Sequence, residues 1–199
     1  MKLIVISPEA VDAREHAVLA RLFATGLDDY HLRKPAWDRN ACAAYLRALP
    51  PEFRARVILH SHGDLAVEFA VRGLHERDEP KSENRPPHHD FRSRAVHDLP
   101  TLRASLDHYE RLLVSPVFRS FSKPGRVPDA RLEPAELKAA LALPRRAEVI
   151  ALGGIDASRL PACRDFGFDG VAVLGAIWQA ADPVRAFNEL QHALHSHAA

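Results

Sequence analysis

Eight short apolar runs punctuate this chain, each but the fourth giving way to a segment with helical periodicity, and that alternation restricts the fold more than any other feature. The runs are "KLIVIS" (2–7), "DYHLRK" (29–34), "ARVILHS" (55–61), "GLHE" (73–76), "SRAVHD" (93–98), "RLLVSP" (111–116), "AEVIALGG" (147–154) and "GVAVLGA" (170–176). Between them lie helical faces with recognisable ends. Ser7-Pro8 offers a cap and a first-turn proline to a face of Val11, Val18, Leu19, Leu22 and Phe23 that stops at Gly26. Asp38, Asp98, Asp156 and Asp182 stand where N-caps are needed, while Pro50-Pro51, Pro144 and Gly167 stand where helices must end. Eight strands, each but the fourth followed by a helix, close into a compact (β/α)8 TIM barrel, expected as one domain over 1–199. A doubly wound open sheet would want a glycine-rich turn after the first strand, and "ISPEAV" has none. The segment "RDEPKSENRPPHHDFR" (77–92) breaks the rhythm: it is polar, holds three prolines and has no apolar period, as a lid or a disordered insert would.

Composition narrows the partners. Lys+Arg and Asp+Glu nearly cancel, 27 against 26, so bulk attraction to nucleic acid or an anionic membrane is not expected. The N-terminal apolar run is too short for a signal peptide and no stretch approaches a membrane span. Cys42 and Cys163 lack metal spacing and read as reduced core thiols, one disulfide being the alternative. A cytoplasmic location is the resulting expectation.

In barrels of this kind chemistry gathers at the carboxyl ends of the strands. "ALGGID" and "VLGAIW" put Gly153, Gly154, Gly175 and Ala176 after strands seven and eight, where backbone amides can approach an anion. Ser120, Ser122 and Lys123, beyond strand six, could close over the same anion; tight turns alone are the alternative. His97, at the end of strand five, can donate and accept a proton near neutrality and is the candidate catalytic group. Arg33 and Lys34 end strand two. Only one of two neighbours can face the interior, and alternation from His31 selects Arg33, for an ion pair or an anion. His60 and His62, at i and i+2, resemble a metal pair. No carboxylate fixes a third ligand, although His75 is a candidate, so both are read as polar barrel-mouth residues and no metal site is assigned.

The words "YHLRKP", "VILHSHGDLA", "GLHE", "RAVHD", "LLVSPVFRSFSKPG", "VIALGGID" and "DGVAVLGAI" give the chain a resemblance to the thiamine-phosphate synthase and TenI-like thiazole tautomerase superfamily, from first strand to last helix. The resemblance implies a homodimeric barrel that binds a thiazole phosphate through Ser120, Ser122, Lys123, Gly153, Gly154, Gly175 and Ala176, with Arg33 on the family's strand-two arginine. Departures decide the branch. The synthase couples hydroxymethylpyrimidine pyrophosphate to thiazole phosphate with Mg²⁺ held by aspartates. Its strand-three Asn-Asp pair corresponds to His60-Ser61, and its strand-two lysine falls on Pro35 with Lys34 displaced by one. Asp78 and Glu79 are only near the second acidic position. The tautomerase needs a proton shuttle and an anion cradle but no metal, and His97 lies in its histidine segment. The sequence therefore favours a metal-free thiazole tautomerase, the alternatives being an Mg²⁺-dependent thiamine-phosphate synthase and an inactive metabolite-binding barrel.

Overall fold

A computed structural model describes residues 1–77, 91–118 and 132–196. Most of the 77–92 segment therefore lies outside the described residues. Eight parallel strands form a closed ring: β1 (Lys2–Ile6), β2 (Asp29–Leu32), β3 (Val57–Leu59), β4 (Gly73–Glu76), β5 (Arg92–Val96), β6 (Arg111–Val114), β7 (Glu148–Leu152) and β8 (Gly170–Val173). Each pairs with its neighbour in sequence, and β8 pairs back onto β1 from Lys2↔Gly170 to Val5↔Val173. The sheet has no free edge.

The helices are α1 (Glu15–Ala24), α2 (Arg39–Ala48), α3 (Pro51–Arg54), α4 (Leu65–Glu68), α5 (Leu99–Ser105), α6 (Pro134–Leu141), α7 (Leu160–Phe166), α8 (Gly175–Trp178) and α9 (Pro183–His195). Four expected caps are present. Asp38 accepts from the Ala41 amide, Asp98 from Thr101, and Asp182 from Val184 and Arg185, while Asp156 caps a 3-10 turn (Ala157–Arg159) leading into α7. Each such cap contributes about 1 kcal/mol.

Three expectations fail. Ser7 does not cap α1, which starts eight positions later at Glu15; its hydroxyl instead donates to the Arg33 carbonyl (3.0 Å) and accepts from the Arg33 amide (2.8 Å). Val11 consequently sits outside the helix and is 76% exposed. Gly175 and Ala176 belong not to β8 but to α8, held to the barrel rim by the Trp178 indole donating to the Ile6 carbonyl at 2.8 Å.

Period-two alternation divides the strands between two cores. Outward residues such as Leu3, Val5, Tyr30, Val57, Leu112, Val149 and Val171 pack under helical residues that include Leu22, Leu46, Leu102, Leu137 and Phe187. Ile4, Ile6, Leu113, Ile150 and Ala172 fill part of the interior. Cys42 and Cys163 are buried, unbridged thiols, as the reduced-core reading expects.

The amino-terminal end of the ring is closed by charge. Arg111, fully buried, donates to Asp29 at 2.7 Å and to Glu148 at 2.8 Å, and its guanidinium lies over the Phe91 ring. Lys2 also pairs with Glu148, and Arg72 with Asp29. These carboxylates occupy the first positions of β2 and β7.

Candidate functional site

At the carboxyl ends of the strands the interior stays open as a cavity of about 500 Å³, a size suited to a small ligand. Its wall follows the alternation: Arg33 beyond β2, His60 beyond β3, His75 and Arg77 on and after β4, Ala95 and His97 on and after β5, Leu113 and Ser115 on and after β6. Gly153, Gly154, Gly175 and Ala176 close the opposite side.

The glycine side is built by chain crossings. After β6 the amide of Val117 donates to the Leu152 carbonyl at 2.9 Å and that of Phe118 to Gly153 at 3.2 Å, tying the β6 exit to the β7 exit. Gly153 adopts φ +100°, and a Cβ there would stand 3.0 Å from Pro116. Both conditions select glycine. The opening charge is Arg33, paired with Glu9, its backbone fastened by Ser7.

The His97 Nδ1–H donates to the Ser115 carbonyl at 2.6 Å. A carbonyl can only accept, so the neutral ring carries its lone pair on Nε2. His97 also lines the cavity, which suits it to take or return a proton there.

Three further imidazoles lie together across the wall. His31 Nδ1 and His60 Nε2 are 3.0 Å apart, the His60 and His75 rings stack at 4.1 Å, and His31 meets His75 edge-on at 5.5 Å. Burial holds all three well below the ordinary imidazole range. For His31 the neighbours His75, Arg111 and Arg72 add to it; for His60 they are His75, His31, Arg33 and Arg77. Burial, then Arg33 and His97, bring His75 down to about 3. These rings are neutral at physiological pH.

Of the residues selected from sequence, Arg33, His60, His97, Gly153, Gly154, Gly175 and Ala176 line one cavity. Lys34 and His62 do not. Lys34 turns away into the outer core, where its ammonium donates to Glu15 (2.6 Å) and to the Pro8 and Ala10 carbonyls. His62 donates to the Trp37 carbonyl at 3.0 Å. The i, i+2 rule fails for His60 and His62 because β3 ends at Leu59 and His62 has φ 54°, beyond extended geometry. Ser120, Ser122 and Lys123 lie outside the described residues. Sequence reasoning left Glu9, Arg77 and Ser115 out of the site; alternation carried on past His75 and Leu113 would have selected the last two.

Comparison with known proteins gives concordant results. A family described as thiamine monophosphate synthase (TMP-TENI) matches residues 3–177. The chain is 29% identical over 200 residues to a thiamine-phosphate synthase of Methanoculleus marisnigri, covering 95% of this chain and 93% of the relative. It is 31% identical over 184 residues to that of Laribacter hongkongensis, covering 88% and 85%. Among solved structures, thiamine phosphate pyrophosphorylase from Bacteroides thetaiotaomicron superposes with TM-score 0.81 at 26% identity over 100% of both chains. A 3-hexulose-6-phosphate synthase, at 18% identity and TM-score 0.64 over 98% of this chain and 100% of the other, shares the fold.

Proposed function

The chain belongs to the thiamine monophosphate synthase family, and from that premise we propose that it is a thiamine-phosphate synthase, joining hydroxymethylpyrimidine pyrophosphate to thiazole phosphate with release of pyrophosphate. The observation that carries this reading is the agreement of the relatives: the curated proteins it matches across most of its length bear that name. The sequence alone put the tautomerase first; the relatives put the transferase first.

The cavity supports the reading as follows. Gly153, Gly154, Gly175 and Ala176 offer backbone amides at one side for the thiazole phosphate, close to where the β6 exit is tied down. Arg33, beyond β2 in the same cavity, offers a guanidinium for the pyrophosphate as its charge develops. Apolar Ile6, Leu113, Leu152 and Ala172 form a floor that excludes water beneath the reacting rings.

Mg²⁺, which the family resemblance implies, requires oxygen ligands. Among the described residues Glu9 is the one carboxylate lining the cavity, and it is engaged with Arg33; Ser61 replaces the expected aspartate. The described donor set is nitrogen-rich and does not fit Mg²⁺, and no step is routed through that ion.

The second reading, a thiazole tautomerase, is favoured by one specific observation: His97 lines the cavity with Nδ1 held by a carbonyl and Nε2 left to move a proton. Purified protein incubated with each substrate set, while pyrophosphate, thiamine phosphate and aromatised thiazole are followed, separates the two. Stoichiometric pyrophosphate and thiamine phosphate are expected. Aromatisation alone, lost by about 10²–10⁴-fold in His97→Ala, would replace the transferase with the isomerase. Turnover of neither set would leave a barrel that only binds.

A further inference from the structure

The same nitrogen-rich donor set that fails Mg²⁺ suits a different ion. We propose that His31, His60 and His75 form a binding site for one late first-row divalent cation of the zinc class, with an open coordination position facing the cavity.

One ligand atom from each ring lies within 4.8 Å of those of the other two. The closest pair, at 3.0 Å, is near the roughly 3.3 Å that separates two nitrogens bound to one tetrahedral Zn²⁺ at about 2.0–2.1 Å. The widest edge, within 4.8 Å, must contract for one ion to take all three rings.

Chemistry agrees with spacing. Imidazole binds zinc, copper and nickel as the neutral base, and burial keeps all three rings neutral. His75 is already oriented. Its Nδ1 lies 2.8 Å from the Ser93 hydroxyl, which has the Leu74 carbonyl at 3.4 Å as its own acceptor. Ser93 can therefore accept the Nδ1 proton, leaving the lone pair on Nε2, which is how supporting groups fix metal-binding histidines. His31 is wholly buried and meets His60 Nε2 through Nδ1, the nitrogen it would give the ion.

Cations nearby do not forbid the ion. Arg72 and Arg111 are paired with Asp29, Arg111 also with Glu148, and Arg33 with Glu9. Three protein ligands leave a position for water or a substrate oxygen. His60 and His75 line the cavity, so that position opens onto the surface shared by His97 and the glycine turns. The inference does not depend on which of the two reactions the chain performs.

The test is direct titration of the chelator-stripped full chain with Zn²⁺, and with Co²⁺ as a visible-absorption probe of four-coordinate geometry. One equivalent is expected to remain after desalting. His60→Ala and His75→Ala are expected to weaken binding about 100-fold and Ser93→Ala about 10-fold or more. Exposed His108→Ala and His195→Ala should leave it unchanged. His31→Ala is added where circular dichroism shows it folds; the other variants decide the matter without it. No retained equivalent, or affinity that follows His195 rather than the three rings, overturns the site. Because the readout is stoichiometry, an inactive protein that holds zinc keeps this site, and an active one that does not loses it.

Discussion

The two ends of this barrel solve the same problem in opposite ways. At the amino-terminal end Asp29, Arg72, Arg111, Glu148 and Lys2 bring charge into or beside the interior, and each finds an opposite charge. At the carboxyl end His31, His60, His75 and His97 bring polar groups that can be neutral, and His31 Nε2 is left without a partner. A chain of paired ions fills space and leaves nothing to bind with. A group of imidazoles beside an open volume leaves hydrogen-bonding and ligating capacity unspent, and that is what a site needs.

The largest way to break this contrast is Arg111→Met. It leaves Asp29 to the half-exposed Arg72 and Glu148 to the half-exposed Lys2, and removing one partner of a buried pair costs about 3–5 kcal/mol. Urea unfolding should show that loss, while ligand affinity at the other end falls only as far as the folded fraction does. Equal loss of affinity in the fully folded fraction would mean that the two ends are coupled.

Gly153→Ala comes next and acts at the open end. The left-handed backbone alone costs an alanine about 1–2 kcal/mol, and its Cβ would press on Pro116 at 3.0 Å. Binding of inorganic phosphate or of substrate should weaken more than stability does. Unchanged affinity would remove the β7 turn from the anion cradle.

The smallest effect is in pH. Burial alone would raise the Glu148 carboxyl, but hydrogen bonds from Lys2 and Arg111 outweigh it and hold the group below its ordinary 4.5. The unfolded chain therefore binds that proton more readily than the folded one. Its contribution is complete above about pH 4.5 and fades as pH falls through the lowered folded value. Glu148→Gln should flatten the acid limb of the stability–pH curve; an unaltered limb would show that acid sensitivity arises elsewhere.

How much of this was legible in the sequence follows from where specificity is local and where it is not. The eight strands and the caps at Asp38, Asp98, Asp156 and Asp182 depend on runs and neighbours, and they could be read. Ser7 could not, because its partner lies 26 residues away and outcompetes the local helix start. Lys34 looked like an anion ligand by composition, yet its direction is set by Glu15 on α1, a tertiary fact. The choice of Arg33 over Lys34 for the interior came from period-two alternation, and the structure places them so. The histidine group is half visible: the sequence pairs His60 with His62 and offers His75, whereas the structure groups His60 and His75 with His31, because β2, β3 and β4 pair in succession and spacing within one strand does not reveal it.

The pairing of β8 with β1 carries a consequence for how the protein comes into being. Strands made first and last share one ladder, so a nascent chain displays two unfinished borders until Val173 has been synthesised. Gly175 and Ala176 arrive only after that seam can form. During translation the pocket is thus completed last, and a premature stop anywhere before the eighth strand yields an open, adhesive sheet rather than a weakened enzyme.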